Sequence, residues 1–343
     1  MDLVHWGTWS MLDSDSFFDL KVIAVCVPLA VFAVVKLGVV TLFQLPRLKE
    51  VPGAHAHPPL RLLKDDRMHS VGWREKGMAL QKIKFLDGDN RTPFALVGIS
   101  VTVNCVIVLD PFTRARVATC DPPGVLSPPY QAVATRGPLI VAMRAAKYGD
   151  RARGSRVDVF SDANDYGAWR YRETRTVNCL LEEILDAELS SDGAFLAVCG
   201  NIGRDGAYVQ RLSLREGVPC GPAHRILDHR AWAATSNGRG GWFVYLGPRG
   251  PRGLLPHSRV MEVHSDGRDL GTIAFSKGSP EIGMAQWPGI GLLLLRRRGA
   301  KTQVEVLLTG DAMKMTFMSR ARVGWMGAVA RGIARRHGSP LSA

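Results

Sequence analysis

Short apolar runs return along this chain at a nearly constant interval. They start at Phe94, Leu139, Phe195, Phe243 and Leu292, spacings of 45, 56, 48 and 49 residues. After a turn rich in Gly or polar residues comes a second run: Cys105-Val-Ile-Val-Leu, Val157-Asp-Val-Phe, Tyr208-Val-Gln-Arg-Leu, Val260-Met-Glu-Val and Val304-Glu-Val-Leu-Leu. A third run follows near Ala115, Ala168, His224, Gly271 and Met313. A weaker run precedes each set, at residues 82–86, 131–134, 185–189, 231–234 and 282–285. Their lengths and bounding turns are those of β-strands. The 36 Gly and 20 Pro suit a turn-rich β-protein better than a helical one.

Four short strands per period of 45–56 residues is the signature of a β-propeller blade. A single four-stranded sheet cannot bury both of its faces. Packing such sheets around an axis covers them all and leaves only short edges. The spacing predicts an all-β propeller of five blades over residues 82–320, or six if residues 60–81 contribute. The third repeat reads Ala187-Glu-Leu-Ser-Ser-Asp-Gly-Ala-Phe-Leu-Ala-Val. It resembles the Ser-x-Asp-Gly-x-x-Leu-Ala-Val stretch of WD-repeat-like propeller blades. Asp192-Gly193 then forms the hairpin turn, with Gly accepting a positive φ. Ser265-Asp266-Gly267 and Asp205-Gly206 read as further turns. No repeat ends in Trp-Asp, and the Gly-His pair is missing. The resemblance is to the broad superfamily and implies a fold used mainly for binding.

A second feature precedes the repeat. Residues 22–43 carry one charge, Lys36, and no acid. As a helix they would span about 33 Å, enough for a ~30 Å hydrocarbon core. The flank before them is acidic (Asp2, Asp13, Asp15, Asp19), which does not suit a cleavable signal peptide or a mitochondrial presequence. The expectation is a single transmembrane helix at 22–45, between a tail at 1–21 and a juxtamembrane linker at 46–81. Between Gln44 and Lys84 stand nine Lys or Arg against four acids. The positive-inside rule then puts the propeller on the cytosolic or matrix side. Trp6 and Trp9 suit an interfacial belt. Lys36 either snorkels toward an interface or meets a partner within the membrane.

The six cysteines show no CxxC and no metal spacing, so buried reduced thiols are expected. His55-Ala-His57 lies in a Pro/Gly linker without further clustered ligands. Gly238-Arg-Gly-Gly241 and Gly247-Pro-Arg-Gly-Pro-Arg-Gly253 do not join a strand to a helix, as a phosphate loop would, and read as blade turns. Glu182-Glu183 and Asp65-Asp66 are adjacent acids, not opposed ones. No catalytic residue, metal site or cofactor is expected, and the chain reads as a non-enzyme.

The charge is more informative. The chain carries +13. From Lys314 onward there are six Lys or Arg and no acid. In the basic tail at 321–343, Trp325, Val329 and Ile333 fall at i, i+4 and i+8, with Arg331, Arg335 and Arg336 around them. Such a segment suits an anionic membrane surface, a protein assembly or RNA. The expected function is an accessory or scaffold subunit of a membrane complex, in contact with other subunits and lipids. The mitochondrial inner membrane and its respiratory chain are the favoured setting. The alternatives are a tethered adaptor of the endoplasmic reticulum and an RNA- or ribosome-binding protein.

Overall fold

The structure is a computed structural model. It describes residues 4–10, 23–27, 31–36, 39–45, 80–86, 96–100, 105–109, 116–120, 129–137, 139–144, 155–162, 169–203, 206–246, 249–250, 253–254, 258–264, 266–275, 282–298 and 301–309. Its described elements are all β. β1 (Val4–Ser10) comes first. Blade 1 holds β2 (Ile23–Cys26), β3 (Val31–Lys36) and β4 (Val39–Gln44). Blade 2 holds β5 (Leu80–Phe85), β6 (Leu96–Ser100), β7 (Cys105–Leu109) and β8 (Arg116–Cys120). Blade 3 holds β9 (Ala132–Arg136), β10 (Leu139–Arg144), β11 (Ser155–Asp162) and β12 (Trp169–Val177). Blade 4 holds β13 (Glu183–Leu189), β14 (Phe195–Ile202), β15 (Gly206–Ser213) and β16 (His224–Leu227).

Blade 5 holds β17 (Ala233–Ser236) and β18 (Gly241–Leu246), then, after the small ladder of β19 (Arg249–Gly250) and β20 (Gly253–Leu254), β21 (Ser258–His264) and β22 (Asp269–Phe275). Blade 6 holds β23 (Ile282–Trp287), β24 (Gly291–Arg298) and β25 (Lys301–Leu308). Its fourth strand is β1, which runs antiparallel to β25, with Val4 opposite Leu308 and Ser10 opposite Gln303. The protein is a six-bladed β-propeller whose last blade is completed by its first strand.

The blade beyond the five expected is blade 1, and it corrects two expectations. Its described strands lie between Ile23 and Gln44 and not in 60–81, and residues 22–43 are not a membrane helix. Their described residues form blade 1. The period-two alternation of a strand sends neighbouring side chains to opposite faces. Ile23, Phe32, Val34 and Phe43 pack with Trp287, Leu293 and Val304 of blade 6. Ala24, Cys26, Val31, Ala33 and Leu42 pack with Ile83, Cys105 and Ile107 of blade 2. A strand buried on both faces is apolar at every position, so hydropathy alone does not separate it from a spanning helix. Phe32 and Phe43 pair across β3 and β4, their rings stacked at 5.2 Å. The β3–β4 ladder runs from Val31 opposite Gln44 to Lys36 opposite Val39. Among the described residues no helix is long and apolar enough to cross a membrane.

Among the described residues the fold has no single core. Six apolar clusters lie between successive blades: 1 and 2, 2 and 3, 3 and 4, 4 and 5, 5 and 6, 6 and 1. Each blade is therefore covered on both faces by its neighbours, as the periodicity requires. The turn at Asp192-Gly193 forms as expected, with Gly193 at φ 68° and the Asp192 carboxylate accepting from the Ala194 amide at 3.0 Å. Gly267, at φ 86°, turns β21 into β22. Gly200 has a different reason to be glycine. A Cβ there would stand 2.0 Å from the Glu183 carbonyl oxygen of the paired strand. Gly200→Ala is expected to destabilise the fold by ~1–3 kcal/mol, because backbone must move to admit one methyl. Urea denaturation checks this, and an unchanged midpoint would count against it.

Candidate functional site

The first strand of each blade faces the axis. β2, β5, β9, β13, β17 and β23 neighbour one another in a closed ring. Apart from the apolar β2, these are the runs the sequence shows as weakest, because one of their faces lines the channel and carries polar groups. The channel holds a cavity of about 400 Å³. Its charged lining is Lys82 and Lys84 from β5, Arg136 from β9, and Asp186 and Glu188 from β13. The i, i+2 spacing of each lysine pair and acid pair puts both members on one face of its strand.

The lysines cross the ring. Lys82 Nζ donates to the Leu185 carbonyl at 2.6 Å, and Lys84 Nζ donates to the Ala187 carbonyl at 2.5 Å. Lys84 also pairs with Asp186 Oδ1 at 2.8 Å. β5 is thereby tied to β13 past the strand between them, β9. The acids are held from the other side by blade 5. Asp186 Oδ2 accepts from the Ser236 amide at 3.2 Å, and Glu188 Oε2 accepts from the Ser236 hydroxyl. Arg136 stands at the end of β9, exposed, with no hydrogen bond or ion pair among the described residues.

Lys82 is half-buried by surface area yet deep among protein atoms, so the water it touches is channel water. Burial lowers its pKa from the ordinary 10.5, Asp186 opposes the shift and Lys84 adds to it. A lowered lysine pKa means that the unfolded chain binds more protons than the folded one between the folded pKa and 10.5. The contribution of Lys82 to stability therefore rises with pH across that interval. The unfolding free energy of the wild type is expected to gain on that of Lys82→Met as pH rises toward 10.5. Urea titrations at successive pH values read the difference, and a pH-independent gap would show that the ammonium is well solvated.

The other sequence candidates fall elsewhere. Lys36 ends β3, and Trp6 and Trp9 lie in β1, the closing strand of blade 6. Trp325, Arg331, Arg335 and Arg336 lie outside the described residues, as do His55, His57 and the strand expected at Met313. Gly238-Arg-Gly-Gly241 is the turn between β17 and β18. Its amides are used locally: Asn237 Oδ1 accepts from Arg239 N and Gly241 N, each at 2.9 Å, and Ser236 Oγ accepts from Gly238 N. Among the described residues no group of three His, Cys, Asp or Glu is placed to hold a metal. Cys26, Cys105, Cys120, Cys179 and Cys199 are buried, and Cys220 is exposed. Burial raises the Cys179 thiol to about 11. The charged axis residues were missed in sequence. Their only trace there is the alternation Lys82-x-Lys84 and Asp186-x-Glu188 within the weak runs.

No protein-family model matches the chain, and no curated protein matches it. Solved structures do match. A chain of a structure described as "Crystal Structure of Mitotic Checkpoint Complex" superposes with a TM-score of 0.53 at 10% identity, covering 88% of this chain and 94% of that one. The structure described as "Structure of Dos1 propeller" gives 0.42 at 13% identity, covering 83% and 66%. At this identity the first likeness shows the fold alone: a β-propeller over nearly the whole of both chains.

Proposed function

We propose that this protein is a non-catalytic scaffold that holds other proteins through its propeller. The observation that carries the reading is the state of the axis. Lys82, Lys84, Asp186 and Glu188 are tied to carbonyls, to each other and to Ser236 across the ring. Such groups brace the ring and are not poised for proton transfer or metal binding. The similar chain from a multi-protein complex supports the same reading. The charge of +13 favours an acidic partner. Membership of a membrane complex is the finer form of this proposal. The strands of blade 1 remove the argument from an anchor, so that form now draws on charge alone.

Size-exclusion of a native extract tests the reading. The chain is expected to elute within a larger assembly of fixed composition that added salt dissociates. Elution as a free monomer at low salt would overturn it.

A further inference from the structure

The channel has an opening as well as a brace. Arg136, Gly238 and Pro288 line the cavity at, or just beyond, the last residues of β9, β17 and β23. The cavity therefore reaches the face where the inner hairpins turn. Its polar lining is graded. Deep in the channel, both oxygens of Asp186 are engaged, by Lys84 and by the Ser236 amide. At the mouth, Arg136 presents a guanidinium with five N–H donors and no acceptor among the described residues. Lys82, Lys84 and Arg136 against Asp186 and Glu188 leave the lining with one positive charge in excess. At about 400 Å³ the space is at the small end of ligand pockets, enough for a side chain or two and too small for a folded element.

We propose that this mouth is a receptor for a carboxylate, supplied by an acidic side chain of a partner protein and clamped by Arg136. The inference rests on the scaffold reading and names the chemistry of its partner. The planar fork of Arg136 matches a carboxylate bidentately, which fixes direction as well as charge. The chain's overall positive field draws an acidic segment toward the protein, and the Arg136 guanidinium, without an acceptor among the described residues, selects where it docks. Thr235 and Gln286 offer neutral polar groups along the wall for the peptide backbone beside the anchoring residue, while the Thr135 hydroxyl donates to the Phe85 carbonyl.

Fluorescence anisotropy with a labelled Glu-Gly-Ser repeat peptide and its Gln-Gly-Ser counterpart tests this on the full chain. The Glu peptide is expected to bind and the Gln peptide not. Arg136→Gln should weaken binding at least about ten-fold, the loss expected for a charge-assisted pair. Arg136→Lys should recover only part of it. Arg215→Gln removes an exposed charge from the turn after β15 and should leave affinity within about two-fold, as a distant screened charge does. An equal loss in Arg215→Gln would overturn the proposal in favour of diffuse attraction. Competition by glutarate as strong as by the unlabelled peptide would overturn the protein source in favour of a small dicarboxylate. If Arg136→Gln still elutes within its native assembly and binds the Glu peptide as wild type does, the channel proposal fails while the scaffold reading stands.

Discussion

Replacing Asp158 with Ala is expected to destabilise the protein by about 3–5 kcal/mol, the cost of leaving a buried charge without its partner. Asp158 of β11 and Arg144 of β10 are each only 1% exposed. Arg144 Nη2 lies 2.7 Å from Asp158 Oδ2, and the guanidinium sits over the Tyr130 ring at 4.0 Å. The Tyr130 and Thr174 hydroxyls donate to the two carboxylate oxygens. Burial and the neighbouring carboxylate hold the Tyr130 phenol protonated, so it remains a donor. The two sides of the pair are unequal. Asp158 keeps two hydroxyl donors if Arg144 is removed. Arg144 Nε and Nη1 have no hydrogen-bond partner among the described residues, so the removal of Asp158 strands its charge. Arg144→Met should therefore cost less than Asp158→Ala. The double variant Arg144→Met, Asp158→Leu should recover most of the loss, since a packed apolar pair can replace a buried ionic one. Urea midpoints for the three variants decide it. Equal losses in both single variants, with no recovery in the double, would refute this account of the cluster.

Deleting residues 1–10 should have an effect of similar size, by a different route. β1 pairs with β25 at six positions and supplies the fourth strand of blade 6. Losing such a ladder costs roughly 1 kcal/mol per net hydrogen bond, so several in all. It also leaves β25 as a bare edge, an invitation to pair with another molecule. The truncated chain is expected to unfold at lower urea and to scatter light on concentration. A synthetic peptide spanning β1 should restore the midpoint in trans. Truncation without loss of stability would mean that β1 does not hold the ring closed.

Much of the ring was legible in the chain. The runs beginning at Leu139, Phe195, His224 and Ile282 are the starts of β10, β14, β16 and β23. A strand covered on both faces makes an unbroken apolar run, and a turn makes a Gly or Asp, so both leave a local mark. The same logic hid blade 1. Residues 22–43 join three such strands with little polar sequence between them, and the local pattern became that of a membrane span. β1 was hidden for another reason. Its partner β25 lies nearly three hundred residues away, and no periodicity links them.

By itself, then, the sequence determined the repeat, the strand content of blades 2 to 5, the turns at Asp192-Gly193 and Gly267, and the positive charge. All of these are set by side-chain pattern within a few residues. The tertiary structure decided the number of blades, the closure of the ring by its first strand and the nature of the apolar N-terminal run. It also decided that Lys82, Lys84, Arg136, Asp186 and Glu188 share one channel. Those outcomes depend on which distant strands pack together, and burial on two faces looks the same in sequence whether protein or lipid provides the cover.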